Sequence, residues 1–142
     1  MAFKVFADAN LLLDFSLKRE NYPAARQIIR NAIEQKIELF TTPSVLHITA
    51  YWVTKGYGSK KAKELLLSLL ADMQVIDCTH ATCVMAVNSS IDDIEDALQY
   101  YTALQHGLEY FVSADKRLKK AAMPLLPVYT AIEFLEEIEE AK

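Results

Sequence analysis

Short apolar runs alternate along this chain with longer segments of helical period. Residues 3–7 are apolar, brief and closed by Asp8, which predicts a strand. Residues 11–17 have helical character. Residues 22–35 predict a helix, because Ala25, Ile28, Ile29, Ala32 and Ile33 repeat at i, i+3 and i+4 and Pro23 takes an early position where proline is tolerated. A second strand is expected over 37–41, and Thr42-Pro43-Ser44 opens a helix to about Lys55. Gly56-Tyr57-Gly58-Ser59 interrupts the pattern, with Ser59 as N-cap for a helix over 60–71. A third strand is read over 74–77. Thr79 caps a helix that ends near Ser89-Ser90, and Asp92 or Asp93 caps another that runs to about His106 and stops at Gly107. A fourth strand over 109–113, a short fifth over 126–129 and a helix over 130–140 complete the chain.

Strands that alternate with helices imply an α/β protein. The expectation is a three-layer α/β/α sandwich around a mainly parallel sheet of about five strands, with residues 1–142 as a single domain. In such sheets ligands gather beyond the carboxyl ends of the strands. That directs attention to the residues that follow each strand.

Three acidic sites occupy such positions. Asp8 follows the first strand, Asp115 follows the fourth, and Asp96 lies in the first turns of the helix leading into the fourth. Clustered carboxylates suit Mg²⁺ or Mn²⁺, which want hard oxygen ligands and keep several waters. Two metals held there would activate a water and stabilise the leaving oxygen of a phosphodiester. Each acid also has a plainer reading. Asp8 caps a helix, Asp92 or Asp93 caps the next, Asp96 sits on a solvated face, and Asp115 opens a turn before Lys116-Arg117. Asn10 either orients a metal-bound water or caps the first helix. Ser113 either hydrogen-bonds Asp8 or a phosphate, or ends a strand. Tyr51, Trp52 and Tyr57 read as base-stacking rings or, from their helical spacing, as core or dimer packing, and Tyr100-Tyr101 carries the same pair of readings.

Bulk properties narrow the classes. A hydrophobic content of 52% in 142 residues supports a packed core and argues against disorder. No apolar run approaches the roughly 20 residues that span a bilayer, and Met1-Ala2-Phe3-Lys4 lacks the features of a signal peptide. A cytoplasmic protein with no membrane association is expected. Cys78 and Cys83 are the only cysteines and read as buried small apolar groups. The net charge of −4 disfavours a general nucleic-acid coat. Charge is uneven, however: Glu133, Glu136, Glu137, Glu139 and Glu140 load the last helix, while Lys60, Lys61 and Lys63 form one basic cluster and Lys116, Arg117, Lys119 and Lys120 form another beside Asp115.

At these residues the sequence resembles the PIN-domain family, in particular its bacterial VapC-like toxin branch, over nearly the whole chain. Asp8-Ala9-Asn10 matches the family's opening Asp-x-Asn. Asp93-Ile94-Glu95-Asp96-Ala97 matches its acidic helix start, and Ser113-Ala114-Asp115 matches its strand-end Thr/Ser-x-Asp. The resemblance implies a metal-dependent endoribonuclease with Mg²⁺ or Mn²⁺ held by Asp8, Asp96 and Asp115. It further implies help from Glu95 or Asp93, and Asn10 and Ser113 as supporting groups behind the ligands. Lys116, Arg117, Lys119 and Lys120 are then candidates for guiding the RNA backbone. A toxin role implies a small antitoxin partner, and the apolar helices are compatible with a homodimer. One position departs from the pattern. Where the family commonly places a glutamate on the helix after strand two, this chain has His47. Histidine favours Mn²⁺ over Mg²⁺, contacts phosphate when protonated, or leaves the site weaker; its plain reading is a buried, hydrogen-bonded side chain. The departure motivates the alternative of a catalytically weakened PIN-like module that binds nucleic acid or protein. A receiver domain lacks support, since no acidic pair adjoins Asp8 and Pro127-Val128-Tyr129-Thr130 offers no lysine. A dinucleotide fold lacks the glycine-rich loop after strand one.

Overall fold

The computed structural model describes residues 2–140. Five strands alternate with eight helices: β1 (Phe3–Ala7), α1 (Ala9–Ser16), α2 (Tyr22–Ile33), β2 (Ile37–Thr41), α3 (Pro43–Tyr57), α4 (Ser59–Leu70), β3 (Met73–Val75), α5 (His80–Val87), α6 (Ile94–Gln105), β4 (Tyr110–Val112), α7 (Lys116–Ala121), β5 (Val128–Tyr129) and α8 (Ala131–Glu140). The sheet has the order β3-β2-β1-β4-β5, and every pairing in it is parallel. Crossovers between parallel strands are right-handed almost without exception, so this order sends helices to both faces. The expected three-layer α/β architecture is the observed one.

β1 is the central strand because it is apolar on both sides. Val5, Phe6 and Ala7 are fully buried, as a parallel strand covered on both faces requires. Val5 pairs with Leu39 on β2, and Phe6 with Phe111 on β4. The Phe6 and Phe111 rings stack with centroids 4.6 Å apart. Tyr100 on α6 is also fully buried. Its hydroxyl donates to the Leu126 carbonyl at 2.7 Å and accepts from the Met123 N–H at 2.7 Å. Of the two readings open for Tyr100, core packing holds, with the phenol pinning α6 to the segment before β5.

Several element ends differ from the sequence expectation. α3 runs through Gly56 and stops at Gly58, whose φ of +85° a side chain would resist. Gly58, not Ser59, therefore stands at the N-cap of α4, and Ser59 is its first helical residue. β3 is shorter and earlier than 74–77, although Ile76 N–H still bonds the Thr41 carbonyl at 2.8 Å. α7, which no apolar period announced, forms because Asp115 caps it with two N–H bonds. Cys78 and Cys83 are half-buried rather than buried, with their Sγ atoms 3.4 Å apart.

The strand order sets the position of the site. From β1 the chain crosses to β2 on one side; from β4 it crosses to β5 on the other. The carboxyl ends of β1 and β4 thus flank the point where the winding reverses, the usual place for a crevice in an open parallel sheet. Asp8 and Ser113 are the first residues beyond those two ends.

Candidate metal centre

Asp8 leaves β1 in extended conformation and caps α1, its Oδ1 accepting from the Ala9 N–H at 2.7 Å. Its Oδ2 accepts from the Ser113 hydroxyl at 3.0 Å. The same Ser113 oxygen accepts from the Asp115 N–H at 3.1 Å, so one buried serine ties the first acid to the third. Asp115 in turn caps α7, Oδ1 taking the N–H groups of Arg117 at 2.8 Å and Leu118 at 3.1 Å. Asp93 caps α6 by accepting from the Asp96 N–H at 3.0 Å. The capping readings of Asp8 and Asp93 are therefore realised, Asp115 opens the helix α7 where the sequence suggests a turn, and each of these acids also faces a common space.

That space is a cavity of about 430 Å³ lined by Asp8, Asn10, Asp93, Glu95, Asp96 and Asp115, with Leu13, Leu17, Arg19, Ile48 and Trp52 among the other walls. Five carboxyl groups from three separate stretches of chain thus converge beyond the strand ends. α6 brings its acids there because buried Gln99, one turn after Asp96, is hydrogen-bonded by the Thr42 hydroxyl at the start of α3. Beside it, Thr41 donates to the Ala7 carbonyl at 3.1 Å.

Burial, with mutual repulsion behind it, raises three of these acids. Burial raises the Asp96 carboxyl to about 7, reinforced by a hydrogen bond with Asp115 and by the charges of Asp93, Asp115 and Asp8. Burial is also the main cause raising Asp8, against the lowering effect of its Ala9 and Ser113 bonds. Glu95 is raised by burial and by the charges of Asp93 and Asp8. Asp115 moves the other way, chiefly because the Leu118 N–H stabilises its ionised form. The donor set is all oxygen and anionic, the chemistry Mg²⁺ and Mn²⁺ require. Among the described residues, no three of these side chains stand close enough to enclose an ion as they are. The oxygens of Asp8 and the Oδ1 of Asp115 point instead to their caps and to Ser113.

Other sequence candidates lie elsewhere. His47 is exposed on α3 and is not a wall of the cavity, so its reading as a buried, hydrogen-bonded histidine is corrected. α3 contributes Ile48 and Trp52 to the wall and no acid. Lys116, Arg117, Lys119 and Lys120 are exposed on α7 outside the cavity lining. Lys119 pairs with Glu133 of α8 at 2.6 Å. Tyr51 and Trp52, for which core packing was the competing reading, are about half exposed. Arg19 was missed: it lines the cavity, binds Asp14 at 2.8 Å and reaches Asn10 at 3.4 Å. Nothing in the local sequence flags it, because its place depends on the turn after α1.

The family described as PIN domain matches residues 4–117. No curated protein matches the sequence significantly. Among solved structures, Mycobacterium tuberculosis VapC20, a toxin that cleaves the sarcin-ricin loop, superposes with a TM-score of 0.66 at 16% identity, over 84% of this chain and 95% of that one. PAE2754 from Pyrobaculum aerophilum gives 0.65 at 17% identity over 99% of both chains. VapBC2 from Rickettsia felis, bound to a DNA fragment from its promoter, gives 0.63 at 16% identity, over 90% of this chain and 98% of that one. These likenesses are in fold.

Proposed function

The chain belongs to the PIN-domain family, matched over residues 4–117, and from that premise we propose that it is a metal-dependent endoribonuclease hydrolysing RNA phosphodiesters. The observation that carries the reading is the convergence of Asp8, Asp93, Glu95, Asp96 and Asp115 on one cavity at the sheet's reversal point. Asp8, Asp96 and Asp115 would hold Mg²⁺ or Mn²⁺. A bound divalent ion lowers the pKa of water and offsets charge on the scissile phosphate. The chain's own residues do the rest. Ser113 fixes the spacing of Asp8 and Asp115 through its two hydrogen bonds. Asp93 holds the first turn of α6, and with it Asp96, against the cavity. Glu95, whose carboxyl is raised by burial and by the charges of Asp93 and Asp8, is suited to exchange a proton with water in the cavity. Asn10 and Arg19 line the same cavity, with the Arg19 guanidinium 3.4 Å from the Asn10 side-chain oxygen.

A toxin role, with a small antitoxin covering the acidic cavity, belongs to the same proposal. It is supported by the likeness to VapC20 and to VapBC2, the latter bound to promoter DNA. The alternative, a weakened PIN-like binding module, draws on one observation: α3 gives the cavity Ile48 and Trp52 but no acid, and His47 is exposed and not among its walls.

RNA cleavage with Mg²⁺ or Mn²⁺, compared between the wild type and Asp8→Asn, decides between them. The ribonuclease reading expects cleavage that chelation stops and that the substitution reduces at least about a hundredfold, the scale of losing an electrostatic stabiliser. Equal cleavage by both proteins defeats it. No cleavage with either metal, alongside retained RNA binding, favours the module.

A further inference from the structure

The α3–α4 hairpin differs in character from the rest of the molecule. Residues 42–71 contain Lys55, Lys60, Lys61 and Lys63 against the single acid Glu64, in a chain whose net charge is −4. None of these lysines is in an ion pair among the described residues. Three aromatic side chains stand on the same hairpin in partial exposure: Tyr51 at 53%, Trp52 at 48% and Tyr57 at 37%. Helical spacing accounts for their neighbours. Lys55, three and four residues beyond Trp52 and Tyr51, places its ammonium 5.7 Å and 5.3 Å from the two ring centroids. Lys61 lies 4.9 Å from the Tyr57 ring. Tyr51 and Trp52 meet edge to face at 5.2 Å, and the Tyr57 hydroxyl donates to the Ser16 carbonyl at 3.0 Å, which fixes that ring against α1. Trp52 is at once part of this surface and a wall of the acidic cavity.

From this juxtaposition we propose that the exposed face of the α3–α4 hairpin, with Trp52 and Tyr51 as stacking rings and Lys55 and Lys61 as phosphate contacts, binds single-stranded RNA and leads it into the cavity. The inference rests on the ribonuclease reading and adds where on the molecule its RNA lies. A base offers a π face and each nucleotide a phosphate, which this alternation of rings and ammonium groups complements. A buried apolar segment of a protein partner would leave the lysines without counter-charges. In a duplex the bases are stacked on one another, and their faces are closed to Trp52.

Trp52 is the only tryptophan, so its emission reports on this surface where it meets the cavity. The wild type in Mg²⁺ is titrated with a cleavage-resistant, phosphorothioate-linked single-stranded RNA 12-mer of mixed sequence. Saturable quenching is expected. With a dye-labelled copy of the same 12-mer, Trp52→Leu is expected to weaken binding about tenfold, the scale of one lost stacking contact. Lys55→Ala is expected to lower the slope of log K against log salt by about 0.7, the share of one phosphate on a single strand. Duplex RNA of the same sequence is expected to bind more weakly. RNA that binds without quenching, or that binds Trp52→Leu as tightly as the wild type, overturns the proposal and marks the surface for a protein occupant. Ordinary RNA, assayed in parallel, separates the two readings. Quenching without any cleavage defeats hydrolysis and leaves this surface standing. Cleavage whose KM is unmoved by Trp52→Leu defeats the surface and leaves hydrolysis standing.

Discussion

Ser113 joins two acids that the sequence holds more than a hundred residues apart. Its hydroxyl is both donor to Asp8 and acceptor for the Asp115 N–H. Ser113→Ala is expected to cost about 1–2 kcal/mol in urea unfolding, the value of one or two buried hydrogen bonds, one of them to a charged group. It is also expected to weaken Mn²⁺ binding in calorimetry, because Asp8 loses its orientation. Asp96 gives a pH prediction. Its folded value of about 7 lies above the ordinary carboxylate value, as do those of Asp8 and Glu95. The folded state therefore binds more protons than the unfolded chain between the two values, and metal-free stability falls as pH rises from about 4 through 7. The Tm without metal is expected to be higher at pH 6 than at pH 8, and Asp96→Asn is expected to shrink that difference. Mn²⁺ affinity follows the opposite course and rises across the same range as protons leave. At this scale Asp8 and Asp115 are legible in the sequence because each follows a recognisable strand. Arg19 and Gln99 are not, since only tertiary packing brings them near the cavity.

Helix ends depend on single residues whose effects can be measured. Gly58 joins α3 to α4 at φ +85° and ψ 164°, with nothing within 4 Å of where a Cβ would stand. Gly58→Ala therefore meets no clash, and its expected cost of about 1–3 kcal/mol in thermal unfolding is purely backbone strain. Gly56 lies inside α3, and the break read over Gly56-Tyr57-Gly58-Ser59 falls at Gly58. β1 and β2 are readable from apolar runs, and α2 from its i, i+3, i+4 face. β3, β4 and β5 hold three, three and two residues, and their limits are set by pairing with neighbours, which no local pattern encodes. α7 is legible only as a cap, because Lys116-Arg117-Leu118-Lys119-Lys120 offers Leu118 as its single buried side chain.

The whole molecule is a parallel sheet whose winding reverses between β1 and β4, with acids from both ends of the sequence meeting at that point. Alternation of strands and helices made this architecture legible. The strand order, and with it the cavity, follows from handedness and pairing rather than from any segment read alone. Among the described residues, no helix is long and apolar enough to cross a membrane. If the acids hold an ion, folding and metal binding are linked. Saturating Mg²⁺ or Mn²⁺ at about a hundred times its dissociation constant is expected to add about 2.7 kcal/mol. In differential scanning calorimetry that appears as a rise of several degrees in Tm, absent in Asp8→Asn. The most direct test is a crystal structure of the protein soaked in Mn²⁺, with the ion located by anomalous scattering. The account predicts Mn²⁺ in the cavity at about 2.1 Å from carboxylate oxygens of Asp8, Asp96 and Asp115, a hard octahedral cation's usual distance. A cavity without an ion at saturating Mn²⁺, or an ion that none of the three acids touches, would contradict it.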